Sequence, residues 1–177
     1  MSALGLGATF AGCARTWSSG SAARGAPAGP GTSWQRVTVR DARGESATLP
    51  TLLAGRPALL SLWAPWCQPC VRELPTLDRI AKRAGALGAL VVGVAVGETP
   101  AAIASFPPVH RLSYPLYADE TFALADALGQ KHVPATLVLD GAGRVVYTGA
   151  ALDRAAVEAL RAAIGPAAKG FNFGDGL

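Results

Sequence analysis

Cys67 and Cys70 are the residues best placed to do chemistry, in the run Trp66-Cys67-Gln68-Pro69-Cys70. Two thiols three positions apart on a helix share one face, close enough for a disulfide to form between them. A helix N-terminus leaves backbone N–H groups without intrahelical acceptors and carries the positive end of the helix dipole. A cysteine held there ionises below its free value of about 8.5 and becomes a nucleophile at neutral pH. Pro69 falls early in the expected helix, where a missing N–H costs little. This chemistry is thiol–disulfide exchange.

The same pair could serve a metal. Structural zinc wants four ligands, usually two such cysteine pairs or one pair with two histidines. The chain has no second pair, and only His110 and His132. No resident metal is assigned. One histidine with two cysteines suits copper, so a copper-binding or chaperone module stands as an alternative, with His132 otherwise a residue of the site's rim. The third cysteine, Cys13, makes an odd total, which is not the even set of a disulfide framework.

The pair needs a strand to lead into it and a helix to carry it. Pro57 to Trp63 is a short apolar run, as expected for a strand buried on both faces. A helix is predicted over 68–84, with Leu74, Leu77 and Ile80 facing one side and Pro75 kinking it. Ala89 to Val96 reads as a second buried strand, and Thr99-Pro100 as the cap and first turn of a short helix. Pro107-Pro108 reads as a loop and Tyr114 to Tyr117 as a short strand. Asp119 is expected to cap a helix through Phe122 to Leu128, closed by Gly129. Strands over 135–139 and 144–148 flank the turn Asp140-Gly141-Ala142-Gly143, and Asp153 caps a last helix ending at Ile164. Trp34 to Val39 reads as an edge strand. Trp63 reads as core and Trp66 as a shield beside the cysteines, while Tyr114, Tyr117 and Phe122 read as packing. Alternation ending in a hairpin implies a three-layer α/β/α sandwich on a central mixed sheet.

The 177 residues suffice for one domain. Half are hydrophobic and 16% charged, which excludes a mostly disordered chain. The net charge is +4 with no dense Lys/Arg block, so no nucleic-acid partner is expected.

From Trp34 to Ile164 the chain resembles the thioredoxin superfamily, and within it the TlpA/ResA-type membrane-tethered thiol:disulfide oxidoreductases. The resemblance is carried by Trp66-Cys67-Gln68-Pro69-Cys70, by Pro75 five residues on, and by Val133-Pro134-Ala135-Thr136. It implies a thioredoxin-like fold, a redox-active Cys67–Cys70 disulfide in place of any dissociable cofactor, and a cis Pro134 packed on the cysteines. Trp66, Gln68, Pro69 and Val133 become the expected partner-binding residues. Glu73 falls where this group often has an acid that influences cysteine protonation, one turn beyond Cys70; the competing expectation is a solvated glutamate paired with Arg72 or Lys82. Ser61 stands where cytosolic thioredoxins bury an acid. The implied work is reduction of protein disulfides in the cell envelope, on apocytochrome c or a copper-site protein, by a monomer recharged from a membrane electron donor. Peroxiredoxins share the fold, but their peroxidatic cysteine follows Thr-x-x, and here Ala64 holds that place. Thiol peroxidase is the second alternative.

Phe10-Ala11-Gly12-Cys13 resembles a bacterial lipobox after an apolar run, which implies lipidation of Cys13 and an extracytoplasmic location. Phe10 replaces the usual aliphatic residue, and no Lys or Arg precedes the run. The expected layout is a signal-like segment over 1–13, a Ser/Gly/Ala/Pro tether over 14–32, the thioredoxin-like domain over 33–166 and a frayed tail over 167–177.

Overall fold

The computed structural model describes residues 32–170. The expectations for Cys13, for the lipobox-like segment, for the tether up to residue 31 and for the tail over 171–177 lie outside the described residues.

Buried apolar runs dictate the centre of the sheet. β3 (Ala58–Trp63) and β4 (Leu90–Val96) pair in parallel, placing Ser61 opposite Gly93. β6 (Ala135–Leu139) lies antiparallel on the other side of β3 and continues through the Asp140 turn into β7 (Val145–Gly149). Asp140 makes that turn by accepting the N–H groups of Ala142 and Arg144 on Oδ1, with Gly143 at φ +77°. β5 (Leu116–Asp119) runs parallel to β4, and β1 (Thr38–Asp41) and β2 (Ser46–Thr48) complete the sheet as antiparallel neighbours. The order is β2-β1-β5-β4-β3-β6-β7, a mixed sheet.

Because side chains alternate along a strand, β3 feeds two cores. Leu59 and Trp63 join one face, covered by α2 (Gln68–Gly85), α3 (Pro100–Ser105) and α5 (Arg154–Ile164). Leu60 and Leu62 join the other, covered by α1 (Leu49–Leu53), α4 (Ala123–Ala127) and Trp34. These are the three layers the residue pattern implied.

Four readings need correction. Trp34 to Val39 is not one strand: Thr32–Arg36 is a 3-10 turn that buries Trp34, and β1 begins at Thr38. β2 and α1 are additional elements, α1 starting behind Thr48 with Pro50 in its first turn. Pro107–Arg111 is a 3-10 turn, and the strand expected from Tyr114 begins at Leu116. Gly165–Ala168 is a further 3-10 turn, and Ala168 is fully buried, so packing continues past residue 166. α2 runs through Pro75 without interruption. Among the described residues no helix is long and apolar enough to cross a membrane.

Candidate active site

β3 ends at Trp63, and the next four residues turn the chain into α2. The turn is closed by the Cys67 N–H donating to the Ala64 carbonyl at 3.1 Å. Cys67 itself is the N-cap of α2, in extended backbone conformation, and its Sγ accepts the Cys70 N–H at 3.3 Å. Sulfur therefore occupies the acceptor position that an Asp or Ser oxygen fills in an ordinary cap. A thiolate at Cys67 would take the same bond with a full charge, together with the field of an 18-residue helix. Cys67 and Cys70 are joined in a disulfide, their Cα atoms 5.3 Å apart. Both are nearly buried, Cys67 at 5% and Cys70 at 2% exposure.

The surface around the sulfurs comes from two other segments. The Val133–Pro134 bond is cis, as the resemblance implied. Register pairs Leu62 with Ala135, so Pro134 lies beside the end of β3 that leads to Cys67. On this side opens a cleft of about 430 Å³, whose lining includes Leu62, Trp66, Phe122, His132 and Val133. Trp66 is 68% exposed at its mouth, and Gln68 and Pro69 are exposed beside it. Trp63 is core.

Glu73 is half-buried one turn beyond Cys70. Its hydrogen bond is to the Leu152 N–H at 3.2 Å, which ties α2 to the turn ahead of α5, and not to either sulfur. Burial pushes its carboxyl above the usual glutamate range, against the pull of the Leu152 N–H and of Arg72. The solvated pairing with Lys82 does not occur, since Lys82 binds Asp78 at 2.6 Å. A raised folded-state pKa means that the folded protein holds this proton more tightly than the unfolded chain. Glu73 therefore contributes stability that is present below the ordinary glutamate range and is lost as pH rises through its raised value. The oxidised Glu73→Gln protein is expected to lack that component, so its urea midpoint should fall less than the wild-type midpoint between pH 4 and pH 7. Identical pH profiles for the two would remove Glu73 as a titrating group of the site.

The model of the AhpC/TSA family matches residues 30–148, a segment that holds the strand, both cysteines and the cis proline. The chain belongs to the AhpC/TSA family. Among curated relatives, the thiol-disulfide oxidoreductase ResA of Bacillus subtilis (strain 168) is 28% identical over 116 residues, 66% of this chain and 64% of ResA. ResA of Halalkalibacterium halodurans is 28% identical over 108 residues, 61% of each chain. The chain thus spans somewhat less than two thirds of the length of these relatives. Among solved structures, dsbF of MTB, seen in mixed oxidized and reduced forms, superposes with a TM-score of 0.62 at 24% identity, covering 74% of this chain and 97% of that one. A thiol:disulfide interchange protein of the thioredoxin family from Chlorobium tepidum TLS gives 0.61 at 23% identity, covering 73% and 93%. The fold is thioredoxin-like, and the chain is similar to the ResA-type members of the superfamily.

Within this AhpC/TSA frame, residues that read from the sequence as packing or as caps also shape the site. Phe122, expected to pack, is 51% exposed in the left-handed region at φ +61°. Its ring lies over Gly97, where a Cβ would stand 2.5 Å from Phe122 Cζ. An exposed ring on a strained backbone is the kind of feature that collects at binding sites. The strain is held by Asp119, which accepts the Ala125 N–H on Oδ2 and the Phe122 N–H on its carbonyl. Asp119 thus caps α4 from outside it, and Phe122 is the formal N-cap. The usable signal was Gly97 directly after a buried strand. Ser61 and Thr136, cross-strand neighbours under the site, are both buried. Among the described residues no cluster of three or more His, Cys, Asp or Glu is placed to hold a metal ion.

Proposed function

We propose that this chain is a thiol:disulfide oxidoreductase that reduces protein disulfides. One observation carries the reading: Cys67 is at once the N-cap of α2 and one half of a disulfide with Cys70. In the reducing direction the Cys67 thiolate attacks one sulfur of a client disulfide. The client's second sulfur leaves as a thiolate, and a mixed disulfide joins client to Cys67. Cys70, deprotonated, then attacks Cys67 Sγ, releasing the client's first sulfur and leaving Cys67–Cys70 oxidised. Two electrons pass to the client, whose two sulfurs end as thiols. α2 assists by stabilising the negative sulfur of Cys67 that makes the first attack.

The cleft between Trp66, Phe122 and Val133 receives the client chain, and the backbone beside Pro134 holds it extended. Glu73 takes the role of proton acceptor near Cys70. ResA-type likeness supports a place on the outer face of the cell membrane, anchored through a lipid on Cys13 and recharged by a membrane electron donor. It supports apocytochrome c or a copper-site protein as client, and a monomer as the working form.

The Cys67–Cys70 reduction potential tests the direction. The expected value is more negative than about −220 mV, and a value near −120 mV, that of a disulfide donor, would overturn the reducing assignment. Reduced protein should lose its thiols to a protein disulfide much faster than to hydrogen peroxide; the reverse order would make it a peroxidase.

A further inference from the structure

The proposed exchange leaves one face of α2 unused. The exposed charged residues of this helix are Arg72, Arg79, Lys82 and Arg83, and none is acidic. Its two acids turn inward. Glu73 is held by Leu152, while Asp78 is buried, taking the Ser113 N–H and hydroxyl at 2.6 and 2.7 Å and Lys82 at 2.6 Å. Facing α2, the Pro107–Arg111 turn forms the other wall of a trough of about 680 Å³. Val71, Leu74, Pro75 and Leu112 contribute its apolar lining, Arg79 and Arg111 are its two basic residues, and its one acid, Asp78, is already engaged by Lys82 and Ser113. Neither arginine makes an ion pair among the described residues. Arg79 donates to the Thr76 hydroxyl at 2.8 Å, which leaves most of its guanidinium donors for another acceptor.

An apolar trough with two guanidinium groups selects for carboxylates beside an apolar side chain, because the planar fork of arginine matches a carboxylate in two parallel hydrogen bonds. The near end of the trough, Val71, lies one helical turn from Cys67, whose carbonyl accepts its N–H at 3.0 Å. Val71 follows Cys70 directly, and Pro75 lies about 7.5 Å beyond Cys70 along the helix at 1.5 Å per residue. A standard interface of about 800 Å² per partner covers both at once. We propose that this trough docks an acidic, partly apolar segment of the polypeptide whose disulfide reacts at Cys67. The inference rests on the proposed exchange activity and adds to it the charge of the client.

The test uses two cystine peptides that differ only in a flanking segment, Asp/Glu in one and Asn/Gln in the other, with the double variant Arg79→Glu/Arg111→Glu. Wild-type protein should reduce the acidic peptide at least about fivefold faster, as kcat/KM, at low salt, with the advantage lost at high salt. The double variant should remove that preference and leave the neutral peptide and a small-molecule disulfide at their wild-type rates. A second readout is fluorescence anisotropy of the acidic segment without cysteines on the oxidised protein, where the double variant should bind more weakly. Equal rates for the two peptides on wild type, or a variant that slows both alike, overturns the proposal. Loss of binding to phosphatidylglycerol vesicles with unchanged peptide rates also overturns it, since the face would then meet a membrane. Failure of wild type to reduce even the small disulfide would defeat the exchange reading, and the anisotropy arm would still decide docking.

Discussion

Cys67→Ala is expected to abolish disulfide reduction, and Cys70→Ala to stop the reaction half-way with the client covalently attached. The asymmetry follows from position. Cys67 is the cap residue whose sulfur faces the orphan N–H groups of α2, and it follows the exposed Trp66 at the mouth of the cleft. Cys70 is one turn inside the helix and almost fully buried. Without Cys67 no sulfur stands where a client can meet it, and the rate should fall by at least about 10⁴-fold, since exchange proceeds by attack of a thiolate. Without Cys70 the first attack proceeds normally. The mixed disulfide then has no internal thiol to resolve it, and it should accumulate as a species of combined mass on non-reducing gels and in mass spectra. Multiple turnover by either variant would overturn the assignment of roles.

Gly93→Val is expected to cost about 3 kcal/mol and roughly 10 °C of melting temperature. Gly93 lies in the centre of the sheet, opposite Ser61 of β3 and Leu116 of β5. A Cβ there would stand 2.5 Å from Leu116 Cδ2, 3.2 Å from the Tyr114 ring and 3.4 Å from Trp63 Nε1. The tip of Leu116 can swing aside, but the two rings are fixed in the core and leave no space for the valine methyls. The strain falls on Trp63, the last residue of the strand that leads to Cys67. Exchange activity should therefore decline together with stability. Gly93→Ala, which asks Leu116 to move and the Tyr114 ring to give only slightly, should cost about 1 kcal/mol. A valine variant as stable as wild type, measured by urea unfolding of the oxidised protein, would contradict this account.

The parts of the molecule legible in the sequence are those that depend on neighbouring residues. β3, β4 and β6 announce themselves as apolar runs because both their faces are buried. The cysteine pair and the helix it starts are a local spacing, and Thr99 and Asp153 are local caps that accept N–H groups three residues on. β2 and α1 were illegible because three and five residues carry no period. Trp34 misled because a buried ring in a 3-10 turn looks like the first member of a strand. The remaining features are made by distant residues. Asp78 reads as one more polar helix position until Ser113, 35 residues away, is brought to its carboxylate. Phe122 reads as packing until the sheet sets it over Gly97. Arg79 and Arg111 become a pair only when the Pro107–Arg111 turn folds against α2.

The short separation and deep seating of the two sulfurs also bear on chemical damage. An oxidant that reaches Cys67 in the dithiol form converts it to a sulfenic acid, the first rung of a ladder whose higher rungs are irreversible. Cys70 waits within disulfide distance, its Cα 5.3 Å away, shielded from the same oxidant by its burial. Its thiol condenses with the sulfenic acid, expelling water and restoring the disulfide of the normal cycle. Oxidative injury at Cys67 therefore ends in the same Cys67–Cys70 disulfide that exchange itself forms, short of the irreversible rungs.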